Sequence, residues 1–407
     1  MLNLKKKQTL ILISALLVIG LGVALYFVLQ GAGFNRLGVP TIHDGNVYVG
    51  SSSGTVYAYE MASGEELWAY DTGGLALFPP YIADNQLFIG GESGQMHAVD
   101  LNSGTANWTF ATGEVDYRIR DNYVNSIPSL EGDVLYFTSE DFNLYAVDVH
   151  SGGEMWRFNL GEEVQQVETT LVDGTLYVGS WNGYLFAIDA VTGQEKWRSQ
   201  TDNYHQGTIN IGWNETFTPV GEVPANERQS NQVPYVTVSP IVDETAVYFA
   251  DWTGNLFAVD ITTGEQLWRH KPATVNMKHV GSRYFMSSHG NKIVYATLED
   301  RHVYSVDKRT GAVLDSLTFD GWVEGPIQGQ GNLSFLIEFP LSEEGEPNGF
   351  QVHGYDLETL DVLYTIENAS FYPQIHDNVA YYGTFGNTIE GRDILSGEVV
   401  WSLDMNG

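Results

Sequence analysis

The fold class this sequence predicts is all-β: an eight-bladed β-propeller of four-stranded antiparallel blades, preceded by one N-terminal transmembrane helix. Three observations predict it. The 407 residues include 44 Gly, 23 Tyr, 19 Phe and 10 Trp, a composition suited to strands and tight turns. One acid–glycine–tryptophan register recurs through the chain. An uncharged apolar stretch follows three lysines at the N-terminus.

The register runs as an apolar strand, a small polar turn, a strand ending in an acid, a turn with Gly, and a strand ending in Trp. Clear copies are VYVGSSSGTVYAYEMASGEELW, LFIGGESGQMHAVDLNSGTANW, LYVGSWNGYLFAIDAVTGQEKW and VYFADWTGNLFAVDITTGEQLW. The acids are Glu60, Asp100, Asp148, Asp189, Asp260, Asp307, Asp356 and Asp393. Four residues on stand Gly64, Gly104, Gly152, Gly193, Gly264, Gly311, Leu360 and Gly397. Eight residues after the acids stand Trp68, Trp108, Trp156, Trp197, Trp268, Asp315, Tyr364 and Trp401, so the sixth and seventh copies are degenerate. An extended segment lies just upstream of each copy, for example Val39–Ile42, Pro80–Ile82 and Thr169–Val172. Each unit of about 40–49 residues, one enlarged connection apart, thus holds four strands, which is a propeller blade. No copy shows the 3.6-residue stripe of a helical solenoid.

The chemistry of the repeat is structural. Asp with Ser or Thr before Gly caps a turn, and Gly supplies the positive φ. A Trp wedged between blades buries ~200 Å², up to ~5 kcal/mol at ~25 cal/mol per Å². Trp68, Trp108, Trp156, Trp197, Trp268 and Trp401 are therefore expected to dock blade against blade. No strand is left over for a mixed blade, so the first and last blades are expected to meet by packing alone.

Residues 1–7 read as a cytoplasmic basic stub, 8–30 as a membrane anchor, 31–38 as a linker and 39–407 as the propeller. The apolar part, residues 9–29, can cross the ~30 Å hydrocarbon core as a helix, and Lys5–Lys7 place its start in the cytoplasm. The rival is a cleaved signal peptide, for which Gly31–Gly33 offers a weak site. The expected location is the cell membrane, single-pass, with the propeller outside the cytoplasm.

A net charge of −32 repels phosphate backbones, so nucleic acid is not an expected partner. With no cysteine, disulfides, thiolate metal sites, Cys nucleophiles and an N-terminal lipidated Cys are excluded. The ten histidines show no zinc-ligand spacing. Gly50–Gly54 matches G-x-S-x-G, but it lies in a hairpin turn and not on a strand-to-helix elbow. No catalytic residue is assigned.

The motif Ala-x-Asp-x-x-Thr-Gly-x-x-x-Trp, at Ala187–Trp197 and Ala258–Trp268, resembles the tryptophan-docking repeat of the pyrroloquinoline quinone (PQQ) type propellers, over roughly residues 39–403. That superfamily includes quinoprotein alcohol and glucose dehydrogenases, sensor domains of some bacterial kinases, and the non-enzymatic BamB-like proteins of outer-membrane assembly. Size and blade count resemble the BamB-like members. The adjacent cysteine pair of the soluble alcohol dehydrogenases is absent, and their calcium ligands match no positions here. The resemblance implies a scaffold without cofactor. A PQQ- and calcium-dependent dehydrogenase or a ligand-sensing propeller is the alternative.

In a repeat protein, insertions map to loops on one face. The enlarged connection 199–235, the connections Ala111–Asn125 and Lys271–Gly281, and the hairpin Leu341–Gly349 are expected to share the face opposite the acid–glycine turns. Arg118, Arg120, Arg228, Lys271, Lys278 and Arg283 fall in or beside these connections, with Tyr117, Tyr123, Tyr204, Trp213 and Tyr284. Arg118, Arg120, Tyr123, Trp213, Lys278 and Arg283 are the candidate partner face. A basic, aromatic rim on an acidic body suits an envelope protein or an anionic ligand.

Overall fold

The computed structural model describes residues 37–405, apart from 114–123, 125, 162–168, 181, 202–207, 211–217, 221–235, 237–238, 252–253, 272–285, 298–300, 329–330, 342–350, 368, 370–372 and 385–387. The expected anchor, residues 8–30, lies outside the described residues; within them no helix is long and apolar enough to cross a membrane.

The described strands form eight four-stranded antiparallel sheets, each built from four consecutive strands, and one two-stranded ribbon. The ribbon pairs Thr208–Asn210 with Thr218–Val220 inside the enlarged connection. Blade 1 is typical: Thr41–His43, Asn46–Gly50, Thr55–Glu60 and Glu66–Asp71. Blades 2 to 8 span Tyr81–Ala111, Ser129–Asn159, Thr170–Gln200, Ile241–His270, Met286–Thr318, Trp322–Ile366 and Gln374–Asp404.

The first strands stand around the axis and are tied to one another by hydroxyls. Thr41 donates to the Pro80 carbonyl at 2.7 Å, Ser129 to the Thr169 carbonyl, and Thr170 to the Pro240 carbonyl at 2.8 Å. Tight two-residue turns join first to second strands, with both central residues at positive φ: Asp44–Gly45, Asp84–Asn85, Asp173–Gly174 and Asp377–Asn378. Second and third strands are buried almost throughout, and fourth strands are mostly exposed, which makes them the rim.

Third and fourth strands pair through a bulge at the same place in all eight blades, between Ala58 and Tyr59 in blade 1 and between Gly391 and Arg392 in blade 8. Trp68 pairs with Ala58 and Glu66 with Tyr59, so Leu67 is the extra residue and stands exposed. The bulge aims the neighbouring indole out of its own sheet. Each docking Trp then lies against an aromatic ring of its own second strand, as in Tyr48–Trp68 and Tyr177–Trp197 with ring centres 5.8 Å apart.

Each of these indoles crosses to the next blade. Trp68 donates to the Leu101 carbonyl at 2.8 Å, Trp108 to Val149 at 2.9 Å, Trp156 to Ala190 at 3.1 Å, Trp197 to Ile261 at 3.0 Å and Trp268 to Lys308 at 2.8 Å. The acceptor always follows the acid of the turn. The glycine of that turn is the seat: a Cβ on Gly193 would lie 2.6 Å from Trp156 Cδ2, and one on Gly104 2.6 Å from Trp68 Cγ. The turn glycine thus meets two demands at once, a positive φ and a flat surface for the neighbouring ring.

Ring closure uses the same device. Trp401 of blade 8 donates to the Met61 carbonyl of blade 1 at 3.0 Å. Leu37, Val47, Val49, Tyr59, Ile389 and Leu403 bury the seam around it. Among the described residues blades 1 and 8 are each built from four consecutive strands with no mixed blade, and packing is reinforced by a hydrogen bond that the sequence alone did not suggest.

Candidate functional site

The acid–glycine turns define one face of the ring. Asp100 shows how they are built: its carboxylate accepts from the Ser103 amide at 2.8 Å, the Ser103 hydroxyl at 3.0 Å and the Asn102 amide at 3.1 Å. These bonds hold its pKa below the usual carboxylate range, and the same holds for Asp148, Asp189, Asp260, Asp307 and Asp393. The acid is part of the turn that it caps.

The opposite face carries the hairpins between second and third strands and the connections between blades. Backbone bonds stitch the two together. Thr72 N reaches Gly54 O, Thr112 N reaches Gly94 O, Leu160 N reaches Phe142 O, Thr201 N reaches Gly183 O and Phe319 N reaches Arg301 O, all at 2.8–3.0 Å. In these five blades the connection therefore leaves from the tip of its own blade's hairpin, so connection bases and hairpins share one surface. The predicted residues Arg118, Arg120, Tyr123, Trp213, Lys278 and Arg283 lie outside the described residues; the bases of the connections that carry them are described.

The base nearest Arg118 and Arg120 is held by an acid that sequence reading did not single out. Asp141, buried in the blade 3 hairpin, accepts from Gly113 N at 2.7 Å and from the Tyr145 hydroxyl. The Gly113 amide also reaches the Tyr145 oxygen at 3.0 Å. Burial and the Asp141 carboxylate push the Tyr145 phenol well above its ordinary pKa, so it stays a proton donor. Phe142 beside it sits at φ 73°, where the corresponding residues are Gly54, Gly94, Gly183 and Gly254. A bulky residue there is strained. That mismatch, Phe in a glycine position, was the available signal.

Two buried histidines form a second polar set. His97 and His353 both stand three residues before the turn acid, a position whose side chain faces the preceding blade. Phe110–Tyr145 and Phe158–Phe186 fill equivalent places with rings 5.2 and 5.7 Å apart. His97 Nδ1 meets the Tyr70 hydroxyl at 3.0 Å and Nε2 meets Ser93 Oγ at 3.3 Å. Burial lowers its pKa to about 4. His353 Nε2 meets Glu338 at 2.9 Å, Nδ1 meets Thr365 Oγ1 at 2.9 Å, and Glu338 accepts from Gly321 N at 2.7 Å. Burial lowers this pKa too, against the pull of Glu338. Both imidazoles serve as polar packing between blades.

Ser52, the serine of the G-x-S-x-G match, lies in the hairpin turn between Asn46–Gly50 and Thr55–Glu60, where the Ser51 hydroxyl bonds Thr55 O at 2.9 Å and Gly54 has φ 86°. Among the described residues no three His, Asp or Glu side chains converge as a metal site requires.

The family model described as outer membrane protein assembly factor BamB matches residues 31–152, 140–321 and 253–407. The chain belongs to the BamB family. BamB from Moraxella catarrhalis superposes with a TM-score of 0.59 at 17% identity, covering 91% of this chain and 96% of that one. The computationally designed Ika8 protein gives 0.62 at 14%, with the same coverage. Quinohemoprotein alcohol dehydrogenase ADHIIG from Pseudomonas putida HK5 gives 0.59 at 14%, covering 80% of this chain and 66% of that one. At such identities these likenesses establish the fold. Tetrathionate hydrolase of Acidithiobacillus ferrooxidans is 23% identical over 192 residues, 40% of this chain and 35% of that protein, so the chain matches about a third of this curated relative's length.

Proposed function

We propose that this BamB-family chain is a non-enzymatic interaction scaffold of the cell envelope. Residues 9–29 hold it in the membrane with the N-terminus in the cytoplasm, and the propeller presents its loop-bearing face to envelope or membrane proteins. What supports this reading is the stitching of connection bases to hairpin tips, together with the place in the sequence of Arg118, Arg120, Arg228, Lys271, Lys278 and Arg283 in or beside the long connections. On that surface Asp141 is engaged in holding a loop base at Gly113. A body of net charge −32 disfavours nucleic acid and suits a partner with a cationic or mixed surface outside the rim.

The test is charge reversal of Arg118, Arg120 and Lys278 in the full-length, detergent-extracted protein. Capture of cross-linked envelope partners is expected to fall several-fold with the thermal midpoint unchanged. Equal capture by the folded variant rejects this face.

The likeness to a quinohemoprotein dehydrogenase and the local similarity to a tetrathionate hydrolase favour one second reading, a redox or ligand-sensing propeller. PQQ with calcium, followed by dye reduction with alcohols and sugars, and separately tetrathionate consumption, distinguish it. Turnover in either assay would replace the scaffold reading.

A further inference from the structure

Blade 7 is joined to its neighbours differently from the other blades. On its blade 6 side the docking residue is Asp315, exposed and bonded to the Ser316 amide at 2.8 Å. The ring of the blade 6 second strand is lost with it, since Val294 pairs with Ser305 where Tyr48 pairs with Ala58 in blade 1. The blade 7 seat is no longer glycine either: Leu360, at φ 61° and buried, fills the space from the other side with Leu357 and Val294. Polar contacts supplement this seam, Ser287 with Ser334 at 3.2 Å and Lys292 with the Glu358 carbonyl at 3.2 Å. On its blade 8 side Tyr364 replaces Trp. It rests on Gly397, but its hydroxyl is buried without a partner among the described residues.

Among the described residues the docking position therefore supplies no indole-to-carbonyl bond on either side of blade 7, whereas blades 1, 2, 3, 4 and 5 have one on both. We infer that blade 7 is the ring's opening unit: it separates from blades 6 and 8 and unfolds as one cooperative piece while the other seams stay docked. The docking positions of the two degenerate copies, Asp315 and Tyr364, lie at the two seams of one blade, so both losses act on the same piece. The strain of Leu360 in the left-handed region and the orphaned Tyr364 hydroxyl are both released when it leaves. Stability in a closed repeat array resides in nearest-neighbour seams, so the blade whose two seams both lack the indole bond opens first.

Hydrogen exchange of the full-length protein in sub-denaturing urea tests this. Amides of Leu333–Phe339 and Gln351–Asp356 are expected to exchange together, at least about tenfold faster than those of Val134–Thr138 and Asn143–Asp148 in blade 3. Two repairs test the cause: Tyr364→Trp, which restores an indole over Gly397, and Asp315→Trp with Leu360→Gly, which rebuilds the other seam. Slower exchange in blade 7 with blade 3 unchanged, in either folded variant, supports the inference. Blade 7 protection equal to blade 3 in the parent, or unchanged exchange in the folded variants, overturns it. Tyr364→Trp decides alone if the double variant does not fold.

Discussion

At the scale of single residues, the ring depends on contacts between one indole and one glycine. Gly193 and Gly174 have nearly the same backbone, φ 68° and 65°, but a Cβ on Gly193 would strike Trp156 while one on Gly174 would meet nothing within 4 Å. The pair separates backbone strain from seating. Gly174→Ala is expected to cost about 1 kcal/mol, the left-handed penalty. Gly193→Ala is expected to cost about 2–4 kcal/mol, because the indole must also leave its seat. Urea midpoints of the two variants check this; equal losses would mean the seat is unimportant. Sequence reading assigned that glycine to the turn alone. The second role was present in the degeneracy, since Trp and the next blade's Gly vanish together at Asp315 and Leu360, but it became legible only once the two were seen to touch.

At the scale of the blade, the layer between neighbours can be apolar or polar, and the polar version responds to pH. His97 takes the place that Phe186 and Phe257 hold in blades 4 and 5, facing Tyr70 of blade 1. Its folded pKa is about 4 against about 6.5 in the open chain, with burial outweighing the nearby Asp71 carboxylate. A depressed histidine pKa stabilises the fold fully above pH ~6.5, and that stability is lost as pH falls through about 4. The shift amounts to about 3 kcal/mol at most. His97→Phe is expected to flatten the fall in urea midpoint between pH 6.5 and 4. The share due to the turn aspartates is retained, since their depressed pKa values make their contribution vanish only as pH falls through the carboxylate range. Parallel pH curves for parent and variant would refute the assignment. The blades themselves were plain in the sequence, because a period-two pattern closed by Asp-x-x-x-Gly leaves few alternatives. The bulge that aims each Trp, and the clamp of Asp141 on Gly113, were not: both arise from pairing between segments whose registers no local pattern states.

For the whole molecule the decisive seam is the one the chain does not cross. Blades 3 and 4 are joined by a short connection after Asn159, so if Trp156 undocks the blades remain neighbours at high effective concentration. Blades 8 and 1 are linked only through the rest of the ring, and their docking pair lies 340 residues apart, against 34 for Trp156 and Ala190. Truncating either indole to alanine costs about 3–5 kcal/mol, but the consequences differ in kind. Trp156→Ala is expected to soften a closed ring. Trp401→Ala is expected to open it, because Leu37, Val47, Ile389 and Leu403 must then hold two free ends together by apolar contact alone. The absence of cysteine makes the distance directly measurable. Spin labels on cysteines replacing exposed Glu65 and Leu395, in the acid–glycine turns of blades 1 and 8, report the seam. Their distance distribution is expected to lengthen and broaden in Trp401→Ala and to match the parent in Trp156→Ala. A distribution unchanged by Trp401→Ala would show that packing by itself closes the ring.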